Sequence, residues 1–280
     1  MAPPSIYVLH IIILHTFVLL FPNQINFDGL GFVNASTDDL SDYNSLFHGD
    51  YSPPSPPPPS PPPHPPSLSC EADLKGTGSL NTVCELDYSL NFTGDVYLQG
   101  NGSLIVRPGV ILSCPVNGCS IAINVSGEVR LGLGAQIIAG SVYVVAGNVS
   151  LFEWSVINVT ALAGEPPEHT SGTPKGVQGG GGGHGGRGAS CVMDNKKLPE
   201  DVWGGDAYSW SSLAEPWSYG SKGGTTNREE DYGGKGGGRI WFEVDSDVDA
   251  RGSLLADGGD GGIKGGGGSG GIIYIKSQKM

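Results

Sequence analysis

The sequence has little positive charge. Only 15 of its 280 residues are lysine or arginine, against 28 aspartates and glutamates, and the formal net charge is −13. Proteins that bind nucleic acid need a positive field that faces the phosphates, and no lysine or arginine cluster occurs here. This deficit excludes a nucleic-acid partner, and it would also repel acidic polysaccharides unless calcium ions bridged the charges.

Helical periodicity is missing as well. After the first 35 residues, no glycine-free stretch of ten residues has the 3.6-residue period of an amphipathic helix. No Cys-x-x-Cys pair occurs, which argues against zinc. Because helical periodicity is missing, we expect an all-β protein. We assign no catalytic residue, no cofactor and no metal ligand.

Residues 1–35 contain the only hydrophobic segment long enough to interact with a membrane, IYVLHIIILHTFVLLF at 6–21. It is typical of a cleavable signal peptide, with Val33-Asn34-Ala35 as the best cleavage site, and the alternative is a retained membrane anchor. Residues 36–66 are expected to be disordered. Their second half, SPPSPPPPSPPPHPP at 52–66, must form an extended polyproline II stalk. Its Ser-Pro blocks resemble extensin-type modules of plant cell-wall proteins.

Six Asn-x-Ser/Thr sequons support export from the cell, and five of them fall within 91–160. We expect these five on a solvent-facing, glycosylated surface. The sequons are Asn34, Asn91, Asn101, Asn124, Asn148 and Asn158.

The five cysteines fit an oxidising compartment. Local pairing predicts disulfides between Cys70 and Cys84 and between Cys114 and Cys119, although connectivity cannot be deduced from sequence. This pairing leaves Cys191 over, and we interpret it as a small buried residue rather than a catalytic thiol.

Residues 67–163 carry a repeat. The motif glycine-x-apolar-x-apolar begins at Gly102, Gly127 and Gly147, and it occurs again at Gly252. Alternation predicts short strands, and one such pair cannot bury its apolar face alone, whereas stacked coils can. A parallel β-helix or solenoid would place two apolar ladders inside, and a β-sandwich is the alternative. The expected ladders are Leu104, Val129 and Val149, and Val106, Leu131 and Leu151.

Residues 164–238 form a glycine- and aromatic-rich insertion, and 239–280 form further β coils. The stretch VQGGGGGHGGRGASC at 177–191 contains a formal G-x-G-x-x-G match, but no strand precedes it and no helix follows it, so phosphate binding is disfavoured. A flexible linker would not need the neighbouring tryptophans. We expect Trp203, Trp210 and Trp217 to provide packing for tight glycine turns, with a carbohydrate platform as the alternative.

Four segments in this order carry a resemblance to a known family: GGGGGHGGRGASC, DVWGGDAYSW, SYGSKGGTT and DYGGKGGGRIW. Together they resemble the N-terminal region of a family of large plant glycine-rich membrane proteins, sometimes labelled ephrin type-B receptor-like. The resemblance implies a long β-rich exported ectodomain followed by transmembrane segments, so the chain resembles a truncated product. It implies no catalytic residues.

The strongest enzymatic alternative uses Asp245, Asp247, Asp249 and Arg251 in FEVDSDVDAR. On one strand these residues would share a face, as acidic groups do in solenoid polysaccharide lyases and hydrolases. A solvated outer face is the simpler interpretation. The nearby DGGDGG at 257–262 only weakly resembles a calcium-binding repeat, and His184 with Arg187 lacks a nucleophile.

The sequence thus predicts a plant-type secreted or cell-surface glycoprotein with a structural or ligand-binding role. Its partners would be cell-wall polysaccharide or another cell-surface protein, and the alternative is a polysaccharide-processing enzyme on the same fold. Membrane attachment would follow if the N-terminal segment were retained, or in longer members of the family. The last strand, around Ile272 to Ile275, would have a partner on one side only, so we also expect self-association through this edge.

Overall fold

The structure is a computed structural model that describes residues 64–172, 179–189, 204–208, 217–225 and 230–280. The hydrophobic segment, Asn34, most of the proline-rich stalk, Cys191, Trp203 and Trp210 lie outside these residues. The described residues form strands, turns and extended segments without a helix, so the all-β prediction is confirmed. None of them belongs to a helix that could cross a membrane.

The strands form three sheets. Sheet A contains β1 (Thr77–Gly78), β2 (Val83–Leu86), β5 (Ser103–Val106), β8 (Glu128–Leu131), β11 (Asn148–Leu151) and β14 (Val248–Ala250). Sheet B contains β3 (Leu90–Asn91), β6 (Ile111–Ser113), β9 (Gln136–Ile138), β12 (Val156–Asn158) and β15 (Ser253–Leu255). Sheet C contains β4 (Val96–Gly100), β7 (Ser120–Val125), β10 (Ser141–Ala146), β13 (Arg239–Val244) and β16 (Ile272–Lys276).

From β2 onward the chain visits sheets A, B and C in strict rotation, which gives five triplets of strands. Each strand pairs in parallel with the strand three places later in the chain, and only β1 and β2 pair antiparallel. Parallel pairing does not fit the β-sandwich alternative, because the sheets of a sandwich are antiparallel.

The core consists of ladders of apolar side chains in register. Leu104 pairs with Val129 and Val129 with Val149, while Val106, Leu131 and Leu151 form the next ladder, and all six are buried. Both predicted ladders are therefore confirmed. A fully buried Leu or Val contributes roughly 1.5–3 kcal/mol, so the alternating pattern is enough to fix which face of sheet A points inward.

The glycines of the repeat have a packing role, because they lie where sheet C turns into sheet A. A Cβ on Gly102 would collide with the backbone of Thr82, and one on Gly127 would lie 2.6 Å from the carbonyl oxygen of Gly102. The fourth copy of the motif lies in a different sheet from the first three. Gly252 precedes β15 of sheet B, and the sheet A strand of that triplet is β14, which has no such glycine.

Both predicted disulfides are present. Cys70 and Cys84 join the N-terminal turn to β2, and Cys114 and Cys119 close the connection between β6 and β7. All four residues are buried. The two bonds fit an extracellular, oxidising environment.

The insertion leaves the sheets at one corner. The connection from sheet B to sheet C takes two residues between β9 and β10, but 80 residues (159–238) between β12 and β13, and 16 residues (256–271) between β15 and β16. The described parts of these two connections form what we call the glycine-rich layer. Both connections leave the sheets between sheet B and sheet C, in the fourth and the fifth triplet.

Backbone hydrogen bonds in the glycine-rich layer recur every three residues. Gly220 donates to Gly237 and Gly223 donates to Gly234, both at 2.8 Å. Three more pairs of N–H donors, each three residues apart, bond to carbonyls that are also three residues apart. They are Gly234 to Gly266 with Gly237 to Ser269, Gly266 to Gly224 with Ser269 to Ser221, and Gly268 to Gly259 with Gly271 to Ala256. Three residues per turn is the period of the polyproline II helix, which makes no internal hydrogen bonds and can bond only to its neighbours.

Glycine is needed in this layer because the segments approach closely. A Cβ on Gly223 would collide with backbone atoms of Gly266, and one on Gly236 would collide with Gly220. None of these glycines has the left-handed φ that would explain it otherwise. The described part of the glycine run, 179–189, belongs to the same layer, because Gly182 donates to Gly267 at 3.0 Å and a Cβ on Gly179 would collide with the backbone of Gly224. This confirms that the glycines are packed.

Four hydroxyl side chains cross-link the layer. Ser221 donates to Thr170 at 2.6 Å and lies 3.0 Å from the Tyr208 hydroxyl, and Ser269 accepts from the Ser221 N–H and donates to Gly183. Ser221 and Thr170 are fully buried. Desolvation by burial raises the pKa of Tyr208 against the hydrogen bonds that lower it, so this phenol stays a neutral donor.

Candidate functional site

The five described sequons lie on the outside of the molecule. Asn91, Asn101 and Asn148 are exposed, and Asn124 and Asn158 are half-buried on the outer faces of sheets C and B. None has a side chain in the core. A glycosyltransferase needs an accessible asparagine, and all five meet that condition.

The acidic residues do not share one strand. β13 ends at Val244 and β14 begins at Val248, so Asp245 and Asp247 lie in the bend between two sheets, and only Asp249 is in a strand. The Lys279 ammonium lies 3.6 Å from Asp247, and Arg251 contacts Asp249 at 2.9 Å. The bend arises because the chain must turn from sheet C to sheet A at this point. Among the described residues, no three His, Cys, Asp or Glu side chains are grouped so that they could hold a metal ion. This finding includes the stretch 257–262, which weakly resembles a calcium-binding repeat.

His184 and Arg187 lie in the glycine-rich layer. The His184 ring packs on Tyr208 with centroids 4.3 Å apart, and Arg187 contacts Asp206 at 3.2 Å. Desolvation by burial lowers the pKa of His184, although a backbone hydrogen bond at Ser218 acts in the opposite direction. A neutral imidazole packed on a tyrosine fits a structural role in the layer.

The aromatic residues of the layer pack on sheet C. Trp217 stacks on Trp241 at 4.4 Å, and Trp241 stacks on Tyr274 at 3.9 Å. Arg239 lies over the Tyr219 ring at 3.9 Å and donates to the Tyr219 hydroxyl at 2.8 Å. Trp241 thus stacks with both of the other rings in this column. Trp217 thus anchors the layer to the sheet, as the packing interpretation predicted.

A different aromatic group is exposed at the corner where sheet A turns into sheet B. The second, third and fourth triplets use four-residue turns here: 107–110, 132–135 and 152–155. Each turn is closed by a hydrogen bond from its fourth residue to its first, at 3.2, 3.0 and 3.1 Å. The third residues of the turns are therefore equivalent: Gly109, Gly134 and Trp154.

Trp154 occupies a position that suits glycine. Its φ is 63°, close to 74° at Gly109 and 67° at Gly134. The left-handed conformation costs a residue with a Cβ about 1–2 kcal/mol. The tryptophan does not recover this cost by burial, since 79 % of it is exposed. Strain without burial, at one residue of a regular repeat, points to a function.

Two other exposed apolar residues lie in these turns. Phe152 in the same turn is 43 % exposed and Leu133 in the preceding turn is 52 % exposed. In the fifth triplet the turn shrinks to Arg251 and Gly252, so no four-residue turn follows the fourth one. We call Leu133, Phe152 and Trp154 the aromatic ledge.

Arg251 occupies the position next to Phe152 in the fifth triplet, because Ala250 is in register with Leu151. Its hydrogen bond with Asp249, together with the charges of Asp249 and Glu153, raises its pKa. Glu153 lies between Phe152 and Trp154 in the same turn, and Arg251, which contacts Asp249, takes the equivalent place in the next triplet. Two residues of the predicted acidic group therefore lie beside it, which the sequence did not indicate.

The sequence contained a signal for the ledge. Aligning the turns RPGV, GLGA and FEWS by their flanking strands puts tryptophan in a glycine column. The exposure of the ledge follows from the short fifth turn, which can be recognised only once the strands are assigned.

Comparison of the chain with protein-family models, curated proteins and solved structures gives no match.

Proposed function

We propose that this chain is an exported, glycosylated β-solenoid that binds neutral polysaccharide through the aromatic ledge. The observation that carries the proposal is Trp154, exposed and in a left-handed conformation at a glycine position. A flat indole face packs well on the apolar face of a sugar ring. Neighbouring charged groups can accept and donate hydrogen bonds to sugar hydroxyls.

The solenoid assignment is supported by the strict A, B, C rotation of strands and by ladders that run in register through the triplets. Stacked coils of this kind bury a continuous core that no single coil could form.

Export is supported by the hydrophobic N-terminal segment, by two buried disulfides and by five accessible sequons. The extensin-like stalk and the glycine-rich motifs favour a plant cell surface or cell wall.

The charge of the ledge selects the class of sugar. Glu153 and Asp249 are acidic, and Arg251 contacts Asp249 directly. The local charge is therefore about −1 on a protein whose formal charge is −13. A polymer of neutral hexoses or pentoses fits this surface better than a polyuronate. A polyuronate would be repelled by the negative charge beside the ledge and by the negative charge of the whole protein.

Binding can be measured with the full chain secreted from plant cells. Affinity electrophoresis in gels that contain xyloglucan, arabinoxylan or polygalacturonate should show retardation by a neutral polymer and none by polygalacturonate. Trp154→Ala should weaken binding at least tenfold, about 1.4 kcal/mol. Tyr88→Ala removes another exposed aromatic residue at the same corner of the first triplet and should leave binding unchanged. Equal retardation of both variants would refute the role of the ledge.

The enzymatic alternative predicts a different result. A polysaccharide lyase or hydrolase that uses the acidic residues would release unsaturated or reducing ends and would lose this activity in Asp247→Ala. The binding function predicts no release and full retention of affinity in that variant. The contacts of Asp247 with Lys279 and of Asp249 with Arg251 favour binding, because each of these carboxylates already has a cationic partner.

A further inference from the structure

The turns between sheet A and sheet B are joined to one another by backbone hydrogen bonds. The N–H of Gly109 in the second triplet donates to the carbonyl of Leu133 in the third at 2.9 Å, and the N–H of Gly134 in the third donates to the carbonyl of Glu153 in the fourth at 3.2 Å. In both cases the third residue of one turn donates to the second residue of the next turn. The turns thus continue the hydrogen bonding of the sheets around this corner.

This series of hydrogen bonds stops at Trp154. Trp154 is the third residue of the fourth turn and has the left-handed φ of its two equivalents, so its N–H points towards the fifth triplet. The fifth triplet crosses the corner in two residues, because Arg251 donates to Leu151 and Ser253 donates to Ser155, each at 2.8 Å. It therefore has no residue over the middle of the fourth turn. Among the residues that the structure describes, none accepts a hydrogen bond from the Trp154 N–H.

We propose that this N–H donates to an acetyl carbonyl of the bound polysaccharide, so that the aromatic ledge recognises acetylated neutral sugars. The inference rests on the proposed function and specifies its ligand. In the two preceding turns the acceptor at this position is a peptide carbonyl. An acetyl group, whether it is an ester or an amide, supplies the same kind of uncharged carbonyl acceptor beside a sugar ring.

The neighbours of this N–H favour an acetyl group over other acceptors. A carboxylate would be repelled by Glu153 in the same turn and by the formal net charge of −13. A sugar hydroxyl can accept the hydrogen bond, but it has no apolar part. The acetyl methyl is apolar, and Phe152 and Trp154 expose 43 % and 79 % of their surface. One acetyl group would thus satisfy the free donor and add an apolar contact with the ledge.

The test compares one polymer in two forms. The full chain, secreted from plant cells, is run in gels that contain acetylated glucomannan or the same polymer after alkali has removed its acetyl esters. A net hydrogen bond corresponds to a factor of about 2–12 in affinity, so the acetylated form should bind about fivefold more tightly.

A second comparison distinguishes an acetyl ester from an acetamide. Chitohexaose and cellohexaose are both uncharged, and they differ in the acetamido group that replaces one hydroxyl on each sugar. As competitors in the same gels, they show whether the amide form is preferred. A preference for the acetylated ligand in either comparison supports the proposal and identifies the type of acetyl group.

Two variants separate the Trp154 N–H from the Trp154 ring. Inserting two glycines between Arg251 and Gly252 gives the fifth turn four residues, so that its own carbonyl can accept from Trp154, and this variant should have no preference for the acetylated ligand. The same insertion after Gly186, an exposed glycine of the glycine-rich layer, should keep the preference. Trp154→Gly keeps the N–H and suits the φ of the turn, so it should weaken binding of both ligands and keep their ratio.

The outcomes distinguish this proposal from the proposed function. Equal affinity of the parent chain for acetylated and unacetylated ligands in both comparisons would overturn the acetyl proposal and leave polysaccharide binding intact. A preference that persists after the insertion at Arg251 would also overturn it. Absence of binding to either form would overturn both. Far-UV circular dichroism and thermal unfolding check that the three variants are folded.

Discussion

The packing of the glycine-rich layer can be tested by adding a single methyl group. Gly223→Ala would place a Cβ against the backbone of Gly266 and 2.8 Å from the carbonyl oxygen of Gly267. These atoms cannot move freely, because Gly266 donates to Gly224 at 2.9 Å and Gly267 accepts from Gly182 at 3.0 Å. The substitution must therefore push two hydrogen-bonded segments apart.

The magnitude follows from two contributions. Overpacking of a tight interior costs about 1–3 kcal/mol, and weakening the hydrogen bond from Gly223 to Gly234 adds about 1 kcal/mol. We expect a loss of about 2–4 kcal/mol. At about 2–4 °C per kcal/mol for a protein of this size, the melting temperature should fall by about 5–15 °C.

The chain offers a matched control within the same layer. Gly186 is exposed, and a Cβ added to it would meet no atom within 4 Å. Gly186→Ala should change stability by about 0.5 kcal/mol or less, and it could stabilise the protein by restricting the unfolded chain. Tryptophan fluorescence during heating reports on the layer through the stacked Trp217 and Trp241. If both alanine variants melted at the same temperature as the parent, the layer would not be packed as described.

Three further results are expected. N-glycosidase treatment of the plant-secreted protein should increase its gel mobility, and unchanged mobility would contradict glycosylation of the five outer sequons. Peptide mapping without reduction should join Cys70 to Cys84 and Cys114 to Cys119, so free thiols at these positions would exclude the pairing. Because desolvation by burial lowers the pKa of His184 in the folded state, the unfolded chain binds the proton first as pH falls below about 6.5. Stability should decrease from pH 7 to pH 5, and this decrease should be smaller in His184→Gln; an identical pH dependence would exclude His184 as a cause.

The parts of the fold that the sequence predicts are those with a short period. Alternation at Leu104 and Val106 is local, so it identifies a strand and its buried face without knowledge of the partner. The next copies of the motif begin their inward-facing pairs at Val129 and Val149. Because the copies are equivalent, they predict which residues pair between neighbouring strands. Gly252 imitates the motif, but its strand belongs to another sheet, since sheet identity depends on how many strands precede it in the rotation.

The glycine-rich layer was harder to predict, because its order lies between segments. Gly182 bonds to Gly267, 85 positions away, and a single polyglycine segment carries no sign of which neighbour it will bond. The three-residue spacing, as in Gly220 and Gly223, is visible in the sequence. Its meaning depends on backbone collisions that appear only when the segments are assembled.

The aromatic ledge was missed for a physical reason. The three tryptophans of the insertion, Trp203, Trp210 and Trp217, are close together in the sequence, so the alternative of a sugar platform was considered only there. In the structure Trp217 has its ring covered by its neighbours, while Trp154 lies in a short, ordinary turn. Lys75, Ala161 and His169 also have a left-handed φ. Trp154 differs in combining this φ with 79 % exposure at a position where the two equivalent turns have glycine.

The fourth triplet combines both unusual features of the molecule at different corners. Between sheets B and C it carries the long connection of 80 residues, and between sheets A and B it carries Trp154. The layer is tied to the outer face of sheet C by Arg239, Trp241 and Tyr219. The insertion between β12 and β13 does not alter the four-residue turn between β11 and β12. The strands of this triplet keep their register with the strands of the preceding triplet. A solenoid can in this way acquire a large insertion and a binding residue in the same repeat. In the folded protein, Gly223→Ala should therefore leave the conformation of Trp154 intact, since the turn at 152–155 is held by its own hydrogen bond and lies between β11 and β12.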